Sequence, residues 1–103
     1  METVHIASCF TDSPGGRARS DGPFSGEEFR EVHLVPRIKI GKPFIVDMDG
    51  TFGFATSFIE EAFGGLSRQY GSELVLKLIT FKSDEDLSLI ATIREYIKRS
   101  MKN

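Results

Sequence analysis

The chain has 103 residues, of which 40% are hydrophobic and 27% are charged, and its formal net charge is −2. This size and balance predict one globular domain with a single core. The small negative charge lacks the basic footprint that non-specific binding to nucleic acid or to an anionic membrane requires. No apolar run reaches the roughly 20 residues of a membrane span, so we expect neither a nucleic-acid partner nor a membrane partner.

The few cysteines and histidines limit the chemistry. Cys9 is the single cysteine, so it has no partner for an internal disulfide. The first ten residues carry a Glu and a His where a secretory signal has a basic and then an apolar segment. A reducing cytoplasm is therefore the simplest expectation. His5 and His33 have no cysteine or carboxylate at ligand spacing, so we predict neither a metal site nor a cofactor.

The first third of the chain predicts a strand, a hairpin and a helix. Residues 4–10 (VHIASCF) have strand character, and a dense turn signal follows them. Residues 17–20 alternate long and small side chains, which predicts a short second strand and an N-terminal hairpin. Ser25 and Glu28 then form a capping box that opens a helix. We expect Pro36 to end or kink this helix.

The middle of the chain carries the clearest pattern. Residues 44–46 (FIV) form a continuous apolar run, which is typical of a strand buried on both faces in a parallel sheet. After a turn, apolar residues at spacings of three and four predict a second helix over residues 56–70. Ser57 with Glu60 repeats the capping-box pattern, and Gly71 stands at the position of a C-cap glycine. The predicted inner face consists of Phe58, Ile59, Ala62, Phe63, Leu66 and Tyr70.

The last third predicts one more strand and one more helix. Residues 74–81 (LVLKLITF) have strand character, and the acidic residues after Ser83 open a helix whose apolar stripe runs from Leu87 to Met101. The resulting order is β(β)αβαβα. We therefore predict an α/β fold with a small, mostly parallel sheet and about three helices, in one domain over residues 4–101.

The turn after the central strand has the sequence Asp47-Met48-Asp49-Gly50-Thr51. It resembles the first motif of haloacid-dehalogenase-type hydrolases, which would make Asp47 the nucleophile and Asp49 the general acid/base, both on magnesium. In that family the motif lies near the N-terminus of a larger fold, whereas Asp-Gly also favours an ordinary tight turn. We therefore do not expect an enzyme, and a small magnesium-dependent phosphatase is the alternative.

Three further motifs occur together: PGGR at residues 14–17, SGEEFR at 25–30 and SFIEEAFGGL at 57–66. In this order they resemble the STAS-like family of domains of unknown function, which is related to bacterial anti-sigma-factor antagonists. The resemblance covers nearly all of residues 4–98. It implies a STAS-like fold of βα repeats and a non-catalytic regulatory role in signal transduction by partner switching.

In STAS antagonists a strand that carries an aspartate leads through a short turn to a helix, and a partner kinase phosphorylates a serine at the start of that helix. The resemblance places this switch at Ser57, with Thr56 as a second candidate, although Ala55 and Phe58 stand where that pattern has an acid and a glycine. It implies a protein partner such as a serine kinase with the histidine-kinase fold, or an ATPase. A phosphate there adds about −1.5 to −2 charge, whereas a serine at this place is otherwise an ordinary N-cap.

Two groups of residues are candidates for binding. Phenylalanines occupy a turn that is expected to be polar, so we predict a partner-binding surface on this turn and the start of the helix, formed by Asp49, Phe52, Phe54, Phe58 and Glu61. A second candidate is an anion-binding cluster of Arg17, Arg19 and Arg30, if the glycine-rich turn folds over the first helix. The alternative is a solvated edge. A module that senses an anion or binds its own copy, including a homodimer, therefore stays open.

Overall fold

A computed structural model of the chain describes residues 1–100. It contains one sheet of three parallel strands in the spatial order β1-β2-β3. The strands are β1 (Glu2–His5), β2 (Phe44–Asp47) and β3 (Ile79–Lys82). Each parallel pair requires a crossover, and helices supply both. The predicted α/β class with a parallel sheet is confirmed.

Five α-helical segments and one 3-10 turn (Arg19–Asp21) occur within residues 1–100. The α-helical segments are α1 (Ile6–Cys9), α2 (residues 26–40), α3 (residues 56–70), α4 (Ser72–Leu78) and α5 (Leu87–Arg99). Both long crossover helices contain a π-helical turn, at Arg30–Leu34 in α2 and at Glu60–Gly64 in α3. None of the helices in this part of the chain is both long enough and apolar enough to cross a membrane.

The central strand and α3 match the sequence pattern. Phe44 and Val46 lie on one face of β2 and are buried. On the other face Ile45 is half-buried and Asp47 is buried, as expected for a strand covered on both faces. The predicted inner face of α3 is buried, with Tyr70 half-buried at its end. Gly71 ends α3 with a φ of 89°, a conformation that glycine adopts without steric cost. The spacing of apolar residues predicts these elements, because the geometry of a helix or strand determines which of its residues share a face.

The predicted N-terminal hairpin is wrong. The first strand ends at His5, a helical turn follows, and residues 17–20 contain no strand. The reason lies at the start of α2, where the N–H groups of Gly26 and Glu27 donate to the carbonyl oxygens of Gly16 and Arg17 at 2.9 and 3.0 Å. This loop therefore satisfies the unpaired N–H groups of a helix, and its carbonyls are not available for a strand partner.

The predicted strand at residues 74–81 is also wrong in its first half. Residues up to Leu78 belong to α4, where Val75 and Leu78 are buried three positions apart. Only Ile79–Lys82 alternates between buried and exposed side chains. All four residues of β3 pair with the four residues of β2. A short apolar run does not by itself distinguish a buried helix from a strand.

The first long helix does not end at Pro36. It continues to Ile40 and ends at Gly41, whose φ is 81°. The π-helical turn ends at Leu34, two residues before Pro36, and changes the hydrogen-bond spacing where this proline has no N–H to donate. Arg37 Nη1 donates to the carbonyl oxygen of His33 at 2.7 Å. Leu34 in this turn is completely buried, whereas Val32 is 51% exposed.

The last helix is confirmed with a shorter apolar face. Ile93 and Ile97 of α5 are fully buried, and Asp86 caps its start by accepting from the Ser88 N–H at 3.1 Å. Leu87 was expected in the core but is 75% exposed, because it is the first residue of α5 and lies beyond the sheet. Met101, and with it the end of the predicted domain at residue 101, lies outside the described residues.

Two glycines inside α3 make room for charged side chains. A Cβ on Gly64 would lie 2.6 Å from Glu60 Oε2 and 2.8 Å from Ser100 Oγ. A Cβ on Gly65 would collide with the guanidinium of Arg30, whose Cζ would be 3.2 Å away. Arg30 is nearly buried and is held in place by Glu61, so it cannot move without loss of bonds. Side-chain packing within the chain therefore explains both glycines.

We expect Gly65→Ala to destabilise the protein, although helix propensity alone predicts a gain of up to about 1 kcal/mol. Displacement of the Arg30 guanidinium should lower the free energy of unfolding by about 1–3 kcal/mol, as for other overpacked sites. Urea unfolding followed by circular dichroism measures this change.

The matched control is Gly16→Ala, where the new Cβ would lie 3.4 Å from Asp21 Cβ, an ordinary contact. Its effect should stay within about 0.5 kcal/mol. A Gly65→Ala variant at least as stable as the unsubstituted chain would contradict this account of the helix crossing.

Candidate functional site

The carboxyl ends of the three strands bring three ionisable residues into line. His5, Asp47 and Lys82 occupy paired positions on β1, β2 and β3. Asp47 Oδ2 lies 3.1 Å from His5 Nδ1 and 3.6 Å from Lys82 Nζ. The carboxylates of Asp47 and then Asp84 raise the pKa of Lys82, so this lysine stays charged. Sequence reasoning missed His5 and Lys82. Both residues lie at the ends of strands, and that position could have identified them. It did not, because both strands were predicted with the wrong ends.

The other oxygen of Asp47 begins a chain of bonds between two loops. Asp47 Oδ1 accepts from the Asp49 N–H at 3.0 Å. The Asp49 carboxylate in turn accepts from Ser83 Oγ at 3.1 Å and from the N–H groups of Asp84 and Glu85 at 2.8 and 3.1 Å. These bonds, with the Asp84 N–H first, lower the pKa of Asp49. We call this arrangement the Asp49 clamp.

The Asp49 clamp has a return contact. Glu85 Oε1 accepts a short hydrogen bond from the Gly50 N–H, so each loop binds the backbone of the other. The residues that resemble a phosphatase motif therefore join residues 49–55 to residues 83–86. The carboxylate of Asp47 contacts His5, Lys82 and the Asp49 N–H, whereas that of Asp49 is bonded to Ser83, Asp84 and Glu85. Within residues 1–100 no three His, Cys, Asp or Glu side chains are placed to hold a metal ion.

The joined loops border a small cleft. Its volume is about 160 Å³, and its lining consists of Thr51, Gly53, Phe54, Glu85, Asp86 and Leu89. The first loop is fixed on its far side as well, because the Phe52 N–H donates to the Asp12 carbonyl at 2.8 Å. The side chain of Phe52 nevertheless points away from the core and is 87% exposed. Phe54 is half-buried, with its ring centroid 5.5 Å from that of Phe58.

Some of the predicted partner-binding residues are exposed, whereas the others are buried or bonded to groups of the same chain. Phe58 is completely buried in the core, so its assignment to a contact surface is wrong; its ring packs against Phe29 of α2, with centroids 6.1 Å apart. Asp49 serves the clamp, and Glu61 is ion-paired to arginines. Phe52, with the outer part of Phe54, is what the structure leaves at the surface.

Thr56 and Ser57 are the first two residues of α3 and do not cap it. Ala55 is the N-cap and has no side-chain acceptor, so the predicted capping box of Ser57 and Glu60 is wrong. Glu60 instead bonds to Arg68 and Arg17. Thr56 is exposed, whereas Ser57 is half-buried. Of the two predicted switch residues, Thr56 is the more accessible to another protein.

The predicted anion-binding arginines are already paired with carboxylates of the chain. Arg17 Nη1 lies 2.5 Å from Glu60 Oε1 and 3.2 Å from Glu61 Oε1, and Arg30 Nη1 lies 2.5 Å from Glu61 Oε2. Arg19 pairs separately with Glu31 at 2.8 Å. The three residues therefore do not form a free cationic cluster. The prediction failed because the glycine-rich loop meets the acidic turn of α3, and opposite charges neutralise each other there.

Comparison with protein families assigns the chain to one family. Residues 25–88, more than half of the sequence, match the family described as STAS-like domain of unknown function (DUF4325). The chain belongs to this family. The parallel three-stranded sheet and its crossover helices are consistent with a STAS-like fold. No curated protein and no solved structure matches the chain.

We expect Asp49→Asn to loosen the loop at residues 83–86. An amide group has one acceptor oxygen and no charge, so it cannot keep the bonds to Ser83, Asp84 and Glu85. Hydrogen exchange followed by NMR should show protection of the Asp84 and Glu85 amides reduced by about tenfold or more.

Asp12→Asn is the matched control, because the Asp12 side chain is exposed and bonds only to its neighbour Ser13. It should leave those two amides unchanged. Equal protection in Asp49→Asn and the unsubstituted chain would show that the clamp does not hold the loop.

The ion pairs of Glu60 predict a pH dependence of stability. The bond from Arg68, then the bond from Arg17, hold the pKa of Glu60 at about 2 against an ordinary value of 4.5, in spite of partial burial. The folded state therefore binds fewer protons than the unfolded chain in this interval. The stabilisation is complete above pH 4.5 and is lost as the pH falls toward 2.

Urea unfolding midpoints measured across this pH interval should fall less steeply in Glu60→Gln than in the unsubstituted chain. Glu73→Gln, at an exposed position on α4, should keep the original slope. Identical slopes in all three proteins would rule out the contribution of Glu60.

Proposed function

We propose that the protein is a non-catalytic, cytoplasmic regulatory module that acts by binding another protein through the turn at residues 49–57. Membership of a STAS-like family supports a regulatory role. The single observation that carries the proposal is Phe52, an aromatic side chain that is 87% exposed on a loop whose backbone is fixed on both sides.

The geometry of this loop suits recognition. An exposed aromatic ring contributes nothing to the core, and aromatic side chains are enriched at the centres of protein interfaces. The Asp49 clamp and the bond from Phe52 to Asp12 keep the loop ordered before a partner arrives. A preordered contact loses less conformational entropy on binding than a flexible one.

The proposed control is phosphorylation at the start of α3, by a partner of the serine-kinase or ATPase type. Thr56 is favoured over Ser57 because its side chain is exposed. Ala55 leaves the first N–H groups of the helix without a side-chain acceptor, so a phosphate on Thr56 would lie beside free donors and the positive end of the helix. The added charge would then alter the surface next to Phe52.

The same contacts argue against the two other functions. In a phosphatase, Asp47 and Asp49 would have to face a shared magnesium ion, whereas here Asp49 is used to hold the neighbouring loop. In an anion sensor, Arg17 and Arg30 would have to be free, whereas both are bonded to Glu61. A binding module needs neither group, and it uses the side chain that the fold leaves exposed.

A photo-crosslinking amino acid at position 52 tests this function in the host cell. We expect the full chain to form a discrete crosslinked product with one protein, because residue 52 would lie inside the interface. The same amino acid at Ile40, which is 69% exposed at the opposite end of the sheet, is the control and should give no such product.

The phosphorylation part is tested in the same assay. Thr56→Glu should change the yield of the product at position 52, whereas Thr56→Ala should keep the unmodified yield and remove any response to the host's signal. Crosslinking that is equal at positions 52 and 40 would contradict the proposed surface. Equal yields and equal responses in both Thr56 variants would contradict control at Thr56.

A further inference from the structure

We propose that the cleft between the two clamped loops binds a basic, amphipathic helical segment of the partner protein. This inference rests on the proposed function and adds the chemistry of what is bound. The docking surface consists of residues 51–54 of the first loop and residues 84–89 of the second, which we call the edge cleft. Its apolar part, its charge and its size each point to such a segment.

The apolar part combines two half-buried lining residues with two exposed neighbours in the sequence. Leu89 and Phe54 line the cleft and are half-buried. Phe52 is 87% exposed and Leu87 is 75% exposed, and each is next in sequence to residues that line the cleft. Neither exposed side chain contributes to folding, so the contact of both with one apolar face of a partner would remove this surface from water.

The charge around the cleft is negative. Asp84, Glu85 and Asp86 follow one another at its border, and the Asp84 side chain is 80% exposed. Within the described residues Lys82 is the cation paired with this group, at 3.4 Å from Asp84, and it is shared with Asp47. The carboxylates of Glu60 and Glu61, by contrast, each have arginine partners.

The excess of negative charge at the cleft favours a positively charged partner segment. Glu85 and Asp86 accept bonds from backbone N–H groups and have no ion-pair partner among the described residues, so the border attracts Lys or Arg side chains. An acidic or neutral segment would leave these carboxylates without a counter-charge as water is displaced. Charge complementarity therefore favours a basic segment with apolar anchors.

The size of the cleft favours a side chain over a small-molecule ligand. Its volume is about 160 Å³, whereas pockets for cofactors and drug-sized ligands measure about 300–1,000 Å³. A cleft of this size accommodates a single anchor residue. An amphipathic helix places such anchors on one face at spacings of three and four, so that its other apolar residues reach Phe52 and Leu87.

The test uses the full chain labelled with ¹⁵N and two synthetic peptides of about 18 residues with leucines at helical spacing. The basic probe carries lysine at all other positions, and the acidic probe carries glutamate there. We expect the basic probe to shift the NMR signals of residues 51–54 and 84–89. Its affinity should fall as salt rises, because the contact is partly electrostatic.

Substitutions identify the surface. Phe52→Ser and Leu87→Ser should each weaken binding of the basic probe by about tenfold, since each removes a large apolar contact. Both should unfold at the same urea concentration as the unsubstituted chain, because these side chains lie outside the core. Ile40→Ser, which removes an exposed apolar side chain at the other end of the sheet, should bind the basic probe unchanged.

Equal binding of the acidic probe, shifts confined to other residues, or full affinity in both Phe52→Ser and Leu87→Ser would overturn the inference. The crosslinking experiment separates this failure from failure of the proposed function. A specific product at position 52 together with no binding of the basic probe would keep the interaction surface and reject the basic occupant. Absence of both would reject the proposed function as well.

Discussion

The carboxylate of Asp49 is the contact on which the proposed binding surface depends. It accepts from Ser83 and from two backbone N–H groups of the loop after β3, and the buried Asp47 accepts from the N–H of Asp49. Together with the bond from the Gly50 N–H to Glu85, these bonds join the turn after β2 to the loop before α5. With them, the loops form one surface on which Phe52 and Leu87 are presented.

The two acidic regions of the chain have different uses. On α3, Glu60 and Glu61 form ion pairs with arginines of the glycine-rich loop, of α2 and of α3 itself. Their negative charge is therefore neutralised within the molecule. After β3, the acidic residues meet far less positive charge and remain at the surface. Charge neutralised within the chain holds the helices together, whereas charge left over at the edge of the sheet can attract another molecule.

The sequence predicted those elements whose burial follows their own periodicity. The continuous apolar strand β2 and the inner face of α3 from Phe58 onward are examples, because each of these elements is covered along one face or both. It failed where a distant partner decides the conformation. Gly16 and Arg17 satisfy the start of α2, so the loop does not pair with β1, and the apolar run up to Leu78 is a helix that ends directly before the four residues that pair with β2.

By itself, the sequence determined the fold class, the family and the helix at residues 56–70, and it predicted a partner-binding surface on the turn that leads into this helix. Only the tertiary structure decided which side chains of that turn are available. Asp49 is used as a clamp, Phe58 is buried and Phe52 is exposed. The physical reason is that hydrophobicity and charge are properties of single residues, whereas burial and pairing depend on groups more than thirty positions away along the chain, such as the N–H of Asp84 for Asp49.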